Sequence, residues 1–333
     1  MAGGGARLAG MIRLLVDIGG TSVRLGWQAG PDDAIHDAAS MPCADFSTPA
    51  DALLHYCARH RLDAETLVLA VAAEISGPVV DVTNNHWVCD AAELAAALGA
   101  AQCLMINDFT AQALACQPLL TGRQNADPAR FTCLRPGQAK LGAPLLVTGP
   151  GTGLGVAALV PMAGAPVVIE GEGGHVSFAP RNDAEQRVLA ALTAEYGHVS
   201  AERIVSGPGL EAVYRIQTGR SLSAPDIGAG ALGGDAPCRA AVDLMLQSFA
   251  TVAANAALGF GAGAGIVIAG GIVARLAALL DDGGFYQRLG DHGRRRRFLE
   301  ALPLYVATDP FAGLRGAAMA AESPHLAARM LHR

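Results

Sequence analysis

Short apolar runs alternate with helical periodicities along most of the chain. Consecutive apolar residues, or in 22–27 alternating ones, are typical of strands and occur at 12–17, 22–27, 67–72, 103–106, 144–148, 155–160, 266–269 and 303–307. Apolar residues at helical spacing occur near 49–60, 91–98, 110–117, 183–196, 239–258, 271–281 and 313–322. Strands interleaved with helices predict an α/β fold.

The chain uses one pattern twice, at 14–21 and at 145–152. In each copy a buried apolar run ends in a turn that closes on Gly-Thr, and a second apolar strand follows. We therefore expect a β-hairpin at the start of each half of the chain, and two similar units. The stretch 118–142, which shows few periodic signals, is expected to connect them.

A turn that closes on Gly-Thr can bind phosphate, because it offers backbone N–H groups and a hydroxyl, and glycine lets the backbone approach closely. Glycine is also common in ordinary hairpins, so two unrelated turns are the alternative. Neither turn fits a Walker loop, since the single lysine, Lys140, is followed by Leu141. Neither fits a dinucleotide fingerprint, whose glycines join a strand to a helix.

Without a lysine in these turns, neutralisation of phosphate charge falls to Mg²⁺ and to backbone dipoles. Asp17 stands at the end of the first predicted strand and is placed to hold that Mg²⁺ through water. The alternative from the local sequence is that Asp17 caps its own turn.

The composition is that of a compact soluble enzyme of about two domains. The 333 residues are 51% hydrophobic and 16% charged, and the net charge of −6 argues against general nucleic-acid binding. The one basic cluster, 294–297, lies near Glu300 and is interpreted as an exposed helix face. Residues 1–10, rich in Gly and Ala, are expected to be a disordered leader, and Met11 is an alternative start.

The seven cysteines contain no Cys-x-x-Cys pair, so neither zinc nor a redox pair is indicated, and reduced thiols of a cytoplasmic protein are expected. The stretch 244–274 has no charged residue and is long enough to span a bilayer. It contains Gln247, Asn255 and six glycines, however. A buried helix to about Leu258, a glycine-rich loop and a strand at 266–269 explain it better.

Two further motifs carry polar chemistry. Asn107 and Asp108 follow a buried strand and precede a helix, the position where α/β proteins bind ligands. Asp108 suits a general base for phosphoryl transfer and Asn107 suits a group that orients the acceptor, although Asp108 as a helix cap is the alternative. Glu172 and His175, flanked by glycines, suit a polyhydroxylated ligand; metal binding is the alternative, without further ligands at metal spacing.

Together these motifs resemble those of bacterial glucokinases, in the sugar kinase/actin/heat-shock ATPase superfamily. The resemblance runs from Ile12 to about Gly316, and its carriers are 16–21, 106–111, 151–156, 171–176, 198–203, 206–210 and 268–272. The departures are Ser22 in place of Asn, Pro150 in place of a small residue, and Glu74 in place of Pro. Since no cysteine occurs between Cys133 and Cys238, the chain falls outside the zinc-containing ROK kinases.

The resemblance implies a role for each site residue. Asp108 would be the catalytic base. The sugar would be bound by Asn107, Asp108, Glu172, His175 and Glu202. The ATP phosphates would be bound by Val16, Asp17, Ile18, Gly19, Gly20, Thr21, Gly149, Gly151, Thr152 and Gly153. Gly270 and Gly271 would lie against the adenosine.

The resemblance also implies an architecture and a reaction. Two actin-like (ribonuclease H-like) domains would flank an interdomain active-site cleft, a small one at 11–118 completed by a C-terminal helix at 313–330, and a large one at 119–312. The expected reaction is transfer of the ATP γ-phosphate to the 6-hydroxyl of D-glucose, with Mg²⁺ and without structural zinc. A cytoplasmic homodimer with no nucleic-acid or membrane partner is expected.

Two alternatives to this reaction are a kinase for another hexose, such as mannose or fructose, and a sugar sensor without turnover. Such sensors normally carry a DNA-binding domain, which the ten residues before Met11 would not encode. An intact Asp108 also argues against a sensor.

Overall fold

The computed structural model describes residues 11–31, 33–121 and 127–333, so the predicted leader at 1–10 lies outside the described residues. The chain divides into two compact units. The first comprises the chain up to Ala115 together with Met162–Val167 and Pro310–Arg333, and the second comprises Cys116–Pro161 and Val168–Asp309.

The first unit is built on a six-stranded sheet. Its strands are β1 (Arg13–Ile18), β2 (Ser22–Gln28), β3 (His36–Pro42), β4 (Thr66–Val71), β7 (Gln102–Asn107) and β14 (Leu331–His332), in the order β14-β7-β4-β1-β2-β3, and a separate ribbon pairs β5 (Val79–Asp81) with β6 (Val88–Asp90). Its α-helices are α1 (Pro49–His60), α2 (Ala91–Leu98), α3 (Asp108–Ala115) and α11 (Ala312–Ala321).

Strand register in this sheet places two carboxylates at one edge. β1 is antiparallel to β2 and parallel to β4, and β4 is parallel to β7. In the strand register, Asp17 of β1 pairs with Ala70 of β4, and Ala70 pairs with Ile106 of β7. Because carboxyl ends of parallel strands share an edge, Asp17 and Asp108 come to the same end of the sheet.

Helix α11 packs against α3 and β1 through two glycines. A Cβ atom at Gly316 would collide with the Ala111 carbonyl, and one at Gly313 would collide with the Asp17 carboxylate. The absence of side chains at these positions therefore lets the helix approach the end of β1 closely.

The second unit is also built on a six-stranded sheet. Its strands are β8 (Phe131–Arg135), β9 (Leu145–Pro150), β10 (Leu154–Val160), β11 (Val167–Gly171), β12 (Gly265–Ile268) and β13 (Leu304–Ala307), in the order β11-β10-β9-β12-β13-β8. Its α-helices are α4 (Asp183–Tyr196), α5 (Gly207–Thr218), α6 (Ala224–Leu232), α7 (Ala236–Phe260), α8 (Gly271–Arg275), α9 (Phe285–Gly290) and α10 (Arg296–Ala301).

The two sheets share one topology. Each sheet contains a hairpin, β1–β2 in the first unit and β9–β10 in the second. The first strand of the hairpin pairs in parallel with β4 or β12, which in turn pairs in parallel with β7 or β13. An antiparallel strand then covers the far edge, β14 in the first unit and β8 in the second. Both predicted hairpins are confirmed.

Helix α7 accounts for the long uncharged stretch. It is long and apolar enough to cross a membrane, but 67% of its most apolar part is buried inside the protein, as in the core helix of a globular domain. It ends at Phe260, and a glycine-rich loop leads into β12. The predicted order of helix, loop and strand is confirmed.

Candidate active site

The turn between β1 and β2 is held by its own backbone and by a neighbouring loop. The Gly19 N–H donates to the Ser22 carbonyl (2.9 Å), and the Gly19 carbonyl accepts from Asn85 Nδ2 (3.2 Å). A Cβ atom at Gly20 would lie 3.2 Å from the Thr83 carbonyl. The first predicted phosphate turn is therefore a tightly supported loop in which a larger residue at 20 would be crowded.

Asp17, at the end of β1, is buried, with 4% of its surface exposed. Arg24 Nη1 donates to Asp17 Oδ2 (3.2 Å). Burial raises the pKa of Asp17, and the Arg24 guanidinium opposes that rise. Sequence reasoning missed Arg24, although the β1–β2 register places it directly opposite Asp17 and the hairpin prediction carried that signal.

Asn107 and Asp108 lie where β7 passes into α3. Asn107 Oδ1 accepts from the backbone N–H groups of Phe109 (2.8 Å) and Thr110 (3.3 Å), and its Nδ2 donates to the Ala73 carbonyl (2.9 Å). Asp108 Oδ1 accepts from Phe109 N–H (2.9 Å). The helix start is thus capped chiefly by Asn107.

The carboxyl group of Asp108 has a pKa raised to about 7. Burial among protein atoms is the main cause, and the nearby negative charge of Asp17 adds to it. Hydrogen bonds from the Phe109 N–H and from Asn107 partly offset the rise. A carboxylate with a pKa near neutrality is well matched to accept a proton from a hydroxyl at physiological pH.

The turn between β9 and β10 forms the second predicted phosphate loop. Gly151 N–H donates to the Gly153 carbonyl (2.8 Å), and the Gly151 carbonyl accepts from Gly207 N–H at the start of α5 (2.9 Å). A Cβ atom at Gly149 would collide with the Ala269 carbonyl, whereas one at Gly151 would meet nothing within 4 Å. Gly149 is thus required by packing, and Gly151 leaves open space next to the backbone.

Gly270 and Gly271 lie at the start of α8, beside this second turn. Gly270 has φ +87°, and a Cβ atom there would lie 2.8 Å from the Pro150 carbonyl. A glycine is therefore required where the chain passes from β12 into α8.

Glu172 precedes a short 3₁₀ turn, Gly173–His175, which ends at His175 and whose glycines pack on β10. A Cβ at Gly173 would lie 2.7 Å from the Val156 Cβ, and one at Gly174 would collide with the Leu154 carbonyl. The Glu172 and His175 side chains are 68% and 60% exposed, with Nε2 of the imidazole 3.7 Å from Oε2 of the carboxylate. Both polar groups are available to a ligand.

Glu202 lies on a second 3₁₀ turn, Ala201–Arg203, and its carboxylate reaches the second phosphate turn. Oε2 accepts from Leu154 N–H (2.8 Å), and a Cβ at Gly153 would lie 2.6 Å from the same oxygen. The Ala201 N–H donates to the Val176 carbonyl (2.8 Å), so the two 3₁₀ segments are joined. The second unit therefore carries Glu172, His175 and Glu202 on two adjoining segments, and Glu202 contacts the β9–β10 hairpin.

Known proteins with similar sequences decide the family. The glucokinase family model matches residues 14–324. The glucokinase of Neisseria meningitidis serogroup B is 37% identical over 323 residues, covering 95% of this chain and 96% of the relative. That of Paramagnetospirillum magneticum is 38% identical over 316 residues, covering 91% of this chain and 96% of the relative. The chain belongs to the glucokinase family. This is a family of ATP-dependent hexose kinases.

Solved structures agree with membership of the glucokinase family. A glucokinase from an Antarctic psychrotroph matches with a TM-score of 0.78 and 30% identity, over 93% of this chain and 98% of that one. The glucose complex of Balamuthia mandrillaris glucokinase (TM-score 0.74, 22% identity, 96% and 94% covered) and a ROK hexokinase from Thermus thermophilus (0.63, 21%, 93% and 97%) share the fold. The mixed α/β sheets are those of a sugar kinase fold.

A magnesium ion suits the residues at the end of β1. Within the described ranges no three His, Cys, Asp or Glu side chains form a metal-holding group. Mg²⁺, however, keeps several waters and binds kinases through one or two carboxylates plus substrate phosphates. The buried Asp17 carboxylate at the end of β1 fits that donor set as a single carboxylate that would hold the ion through water.

Proposed function

We propose that this chain transfers the γ-phosphate of ATP to the 6-hydroxyl of D-glucose, giving glucose 6-phosphate. The observation that carries the proposal is the raised pKa of the Asp108 carboxyl group, about 7. Asp108 lies at the same edge of the sheet as Asp17 and the β1–β2 turn. Family membership supports the substrates, because relatives across most of the chain are named glucokinases.

In this mechanism Asp108 is the general base. The 6-hydroxyl oxygen attacks the γ-phosphorus, its proton passes to the Asp108 carboxylate, and the bond from the phosphorus to the bridging oxygen of ADP breaks. The Phe109 N–H contact fixes the Asp108 carboxylate, and the neighbouring Asn107 is assigned to a sugar hydroxyl.

The remaining sugar hydroxyls are assigned to Glu172, His175 and Glu202. Carboxylates accept hydrogen bonds from hydroxyl groups, and an imidazole can donate to or accept from a neighbouring one. The exposure of Glu172 and His175, and their separation of 3.7 Å, support binding of adjacent hydroxyls.

The ATP phosphates are assigned to both hairpin turns, through Gly19–Thr21 in the first and Gly149–Gly153 in the second. The open space at Gly151 and the exposed hydroxyl of Thr152 support close approach of a phosphate. Asp17 would hold Mg²⁺ through water, and the ion would neutralise negative charge on the phosphates. Gly270 and Gly271 would lie against the adenosine.

We further propose two actin-like domains, 11–118 with 313–330 and 119–312, with a site that uses residues of both, in a cytoplasmic homodimer without structural zinc. The shared sheet topology supports the actin-like assignment. Because the base and the sugar-binding carboxylates lie in different units, the reaction needs residues of both.

A substrate panel tests this function. We expect ATP- and Mg²⁺-dependent phosphorylation of glucose, with mannose, fructose and galactose turned over less efficiently. ADP and polyphosphate as donors serve as controls. Turnover of a different hexose alone would keep the mechanism and overturn the substrate, and glucose binding without turnover would favour a sensor.

A further inference from the structure

One short segment holds the second phosphate turn at two points. At its start, Glu202 Oε2 accepts from Leu154 N–H (2.8 Å), directly after the turn. At its end, Gly207 N–H donates to the Gly151 carbonyl (2.9 Å). The turn between these points is closed by the hydrogen bond from Gly151 to Gly153 (2.8 Å). The shape of the turn therefore depends on the segment 202–207.

The backbone of this segment is firmly held. Ser206 Oγ donates to the Glu202 carbonyl (2.7 Å) and accepts from Gly209 N–H (3.0 Å), capping α5. Ile204 and Val205 are fully buried. Because the backbone is fixed by burial and capping, the part of the segment that can respond to a ligand is the Glu202 side chain.

The Glu202 carboxylate has one oxygen committed to the turn. Oε2 binds Leu154 N–H, whereas Oε1 receives no hydrogen bond from the described part of the chain. We propose that Glu202 is a positioning residue that couples sugar binding to ATP binding. The proposal rests on the proposed function, which gives the same carboxylate a sugar hydroxyl.

The coupling has a simple physical basis. A sugar hydroxyl that donates to Oε1 fixes the orientation of the carboxylate, and Oε2 then holds Leu154 N–H and the Gly151–Gly153 turn in one shape. ATP bound to that turn fixes the carboxylate for sugar in the same way, since coupling between two binding sites is reciprocal.

Glu172 provides a matched control. It shares the proposed sugar role, but its side chain is 68% exposed and its described side-chain partner is His175, not the turn. Weakening the sugar contact of Glu172 should therefore lower sugar affinity and leave the coupling unchanged once the sugar site is saturated.

The test measures Kd for the Mg²⁺ complex of AMP-PNP, a non-hydrolysable ATP analogue, by calorimetry on the full chain with and without saturating glucose. In the wild type we expect glucose to tighten binding by about tenfold, within the usual range of coupling. Glu202→Gln keeps an oxygen for Leu154 N–H but loses the charged acceptor. Without glucose, we expect the Kd of Glu202→Gln for AMP-PNP to be within about twofold of the wild-type value. We expect saturating glucose to tighten AMP-PNP binding to this variant by about twofold or less.

Glu202→Ala, which loses both contacts, should weaken sugar-free AMP-PNP binding and abolish the coupling; if it does not fold, Glu202→Gln decides alone. Glu172→Gln should keep the tenfold coupling at saturating glucose. Three results would overturn the proposal while leaving the function intact. Glu202→Gln could retain the wild-type coupling, or Glu172→Gln could lose as much coupling as Glu202→Gln. The wild type could also show no effect of glucose on the Kd for AMP-PNP. A wild type that binds no glucose would overturn both.

Discussion

Two carboxylates at one edge of a sheet explain the chemistry assigned to the first unit. Burial raises the pKa of both Asp17 and Asp108, and the charge of Asp17 raises that of Asp108 further. A raised pKa means that ionising these groups costs folding free energy, and for Asp108 this cost grows as pH rises from about 4 towards 7. The proposed role of Asp108 as a base gives a functional reason for that cost.

The pKa of Asp108 predicts the pH dependence of the reaction. A base must be ionised, so kcat/KM for glucose should be level above pH 7 and fall by about tenfold per unit below it. The measurement is kcat/KM between pH 5 and 9 at saturating MgATP. An acid limb near pH 4, the ordinary value for aspartate, would contradict the account.

Asp17→Asn checks the cause of this shift. The substitution removes the neighbouring negative charge, so the acid limb of its residual activity should move to lower pH. A limb that stays in place or moves to higher pH would show that Asp17 does not raise the pKa of Asp108.

At this scale the sequence predicted the positions of Asp17 and Asp108, because polar residues that follow buried strands stand out in the pattern. It did not predict that Asn107 caps α3 or that Arg24 pairs with Asp17, since those contacts depend on side-chain direction and register. It also did not show that the glycines after Glu172 pack against β10.

At the scale of elements, the two hairpins were predictable because each is a pair of apolar runs joined by a turn. The structure adds elements that the pattern reading did not predict. They are β3, β5, β6, β8, β11 and β14 with α5, α6, α9 and α10. Polar edge strands such as β3 and β11 expose most of one face, and β8 lies inside the stretch assigned to a connection. Short or half-exposed elements do not produce the periodicity of a core element.

The second hairpin turn predicts a separable effect on ATP. Gly151→Val has room for its Cβ in the protein, so the fold should be retained, while the side chain blocks approach of a phosphate to the backbone. We expect KM for MgATP to rise by about tenfold or more, with the free energy of unfolding within about 1 kcal/mol of wild type.

Gly30→Val is the matched control, because Gly30 also has open space and lies outside the predicted site. Its KM for MgATP should equal that of the wild type. An unchanged KM in Gly151→Val would remove the β9–β10 turn from the phosphate site.

The contact of α11 with β1 predicts a second element-scale effect. Gly313→Ala would drive a methyl group into the Asp17 carboxylate, so we expect a loss of about 1–3 kcal/mol in the free energy of unfolding and a higher KM for MgATP. Gly228→Ala, in α6, meets only an ordinary contact at 3.5 Å and should be neutral or stabilising by up to about 1 kcal/mol.

Urea unfolding of both variants, with KM for MgATP, is the measurement. Equal effects of the two substitutions would show that the helix does not constrain the end of β1. A destabilised Gly313→Ala with an unchanged KM would separate the packing of α11 from the position of Asp17.

For the whole molecule, local patterns suggested two similar halves, and the shared sheet topology bears this out. Local patterns did not give the strand order or the return of α11 to the first unit, because those depend on contacts distant in sequence. The resemblance to glucokinases did imply that a C-terminal helix completes the first domain. The motif order did supply the family, which the relatives confirm. The hydrogen bond from Leu154 N–H to the Glu202 carboxylate was visible only in the folded chain.

The central claim is that this whole molecule phosphorylates glucose with Asp108 as its base, and Asp108→Asn tests it most directly. Asparagine keeps an oxygen for the Phe109 N–H, so the fold should persist, but it does not accept the proton. Asp90→Asn, which retains a capping oxygen at the start of α2, is the control.

The measurement is kcat for glucose phosphorylation beside the calorimetric Kd for glucose. We predict that Asp108→Asn lowers kcat by roughly 10²–10⁴-fold with Kd within about threefold, and that Asp90→Asn changes neither. A kcat for Asp108→Asn within about threefold of the wild type would contradict the assignment of Asp108 as the base.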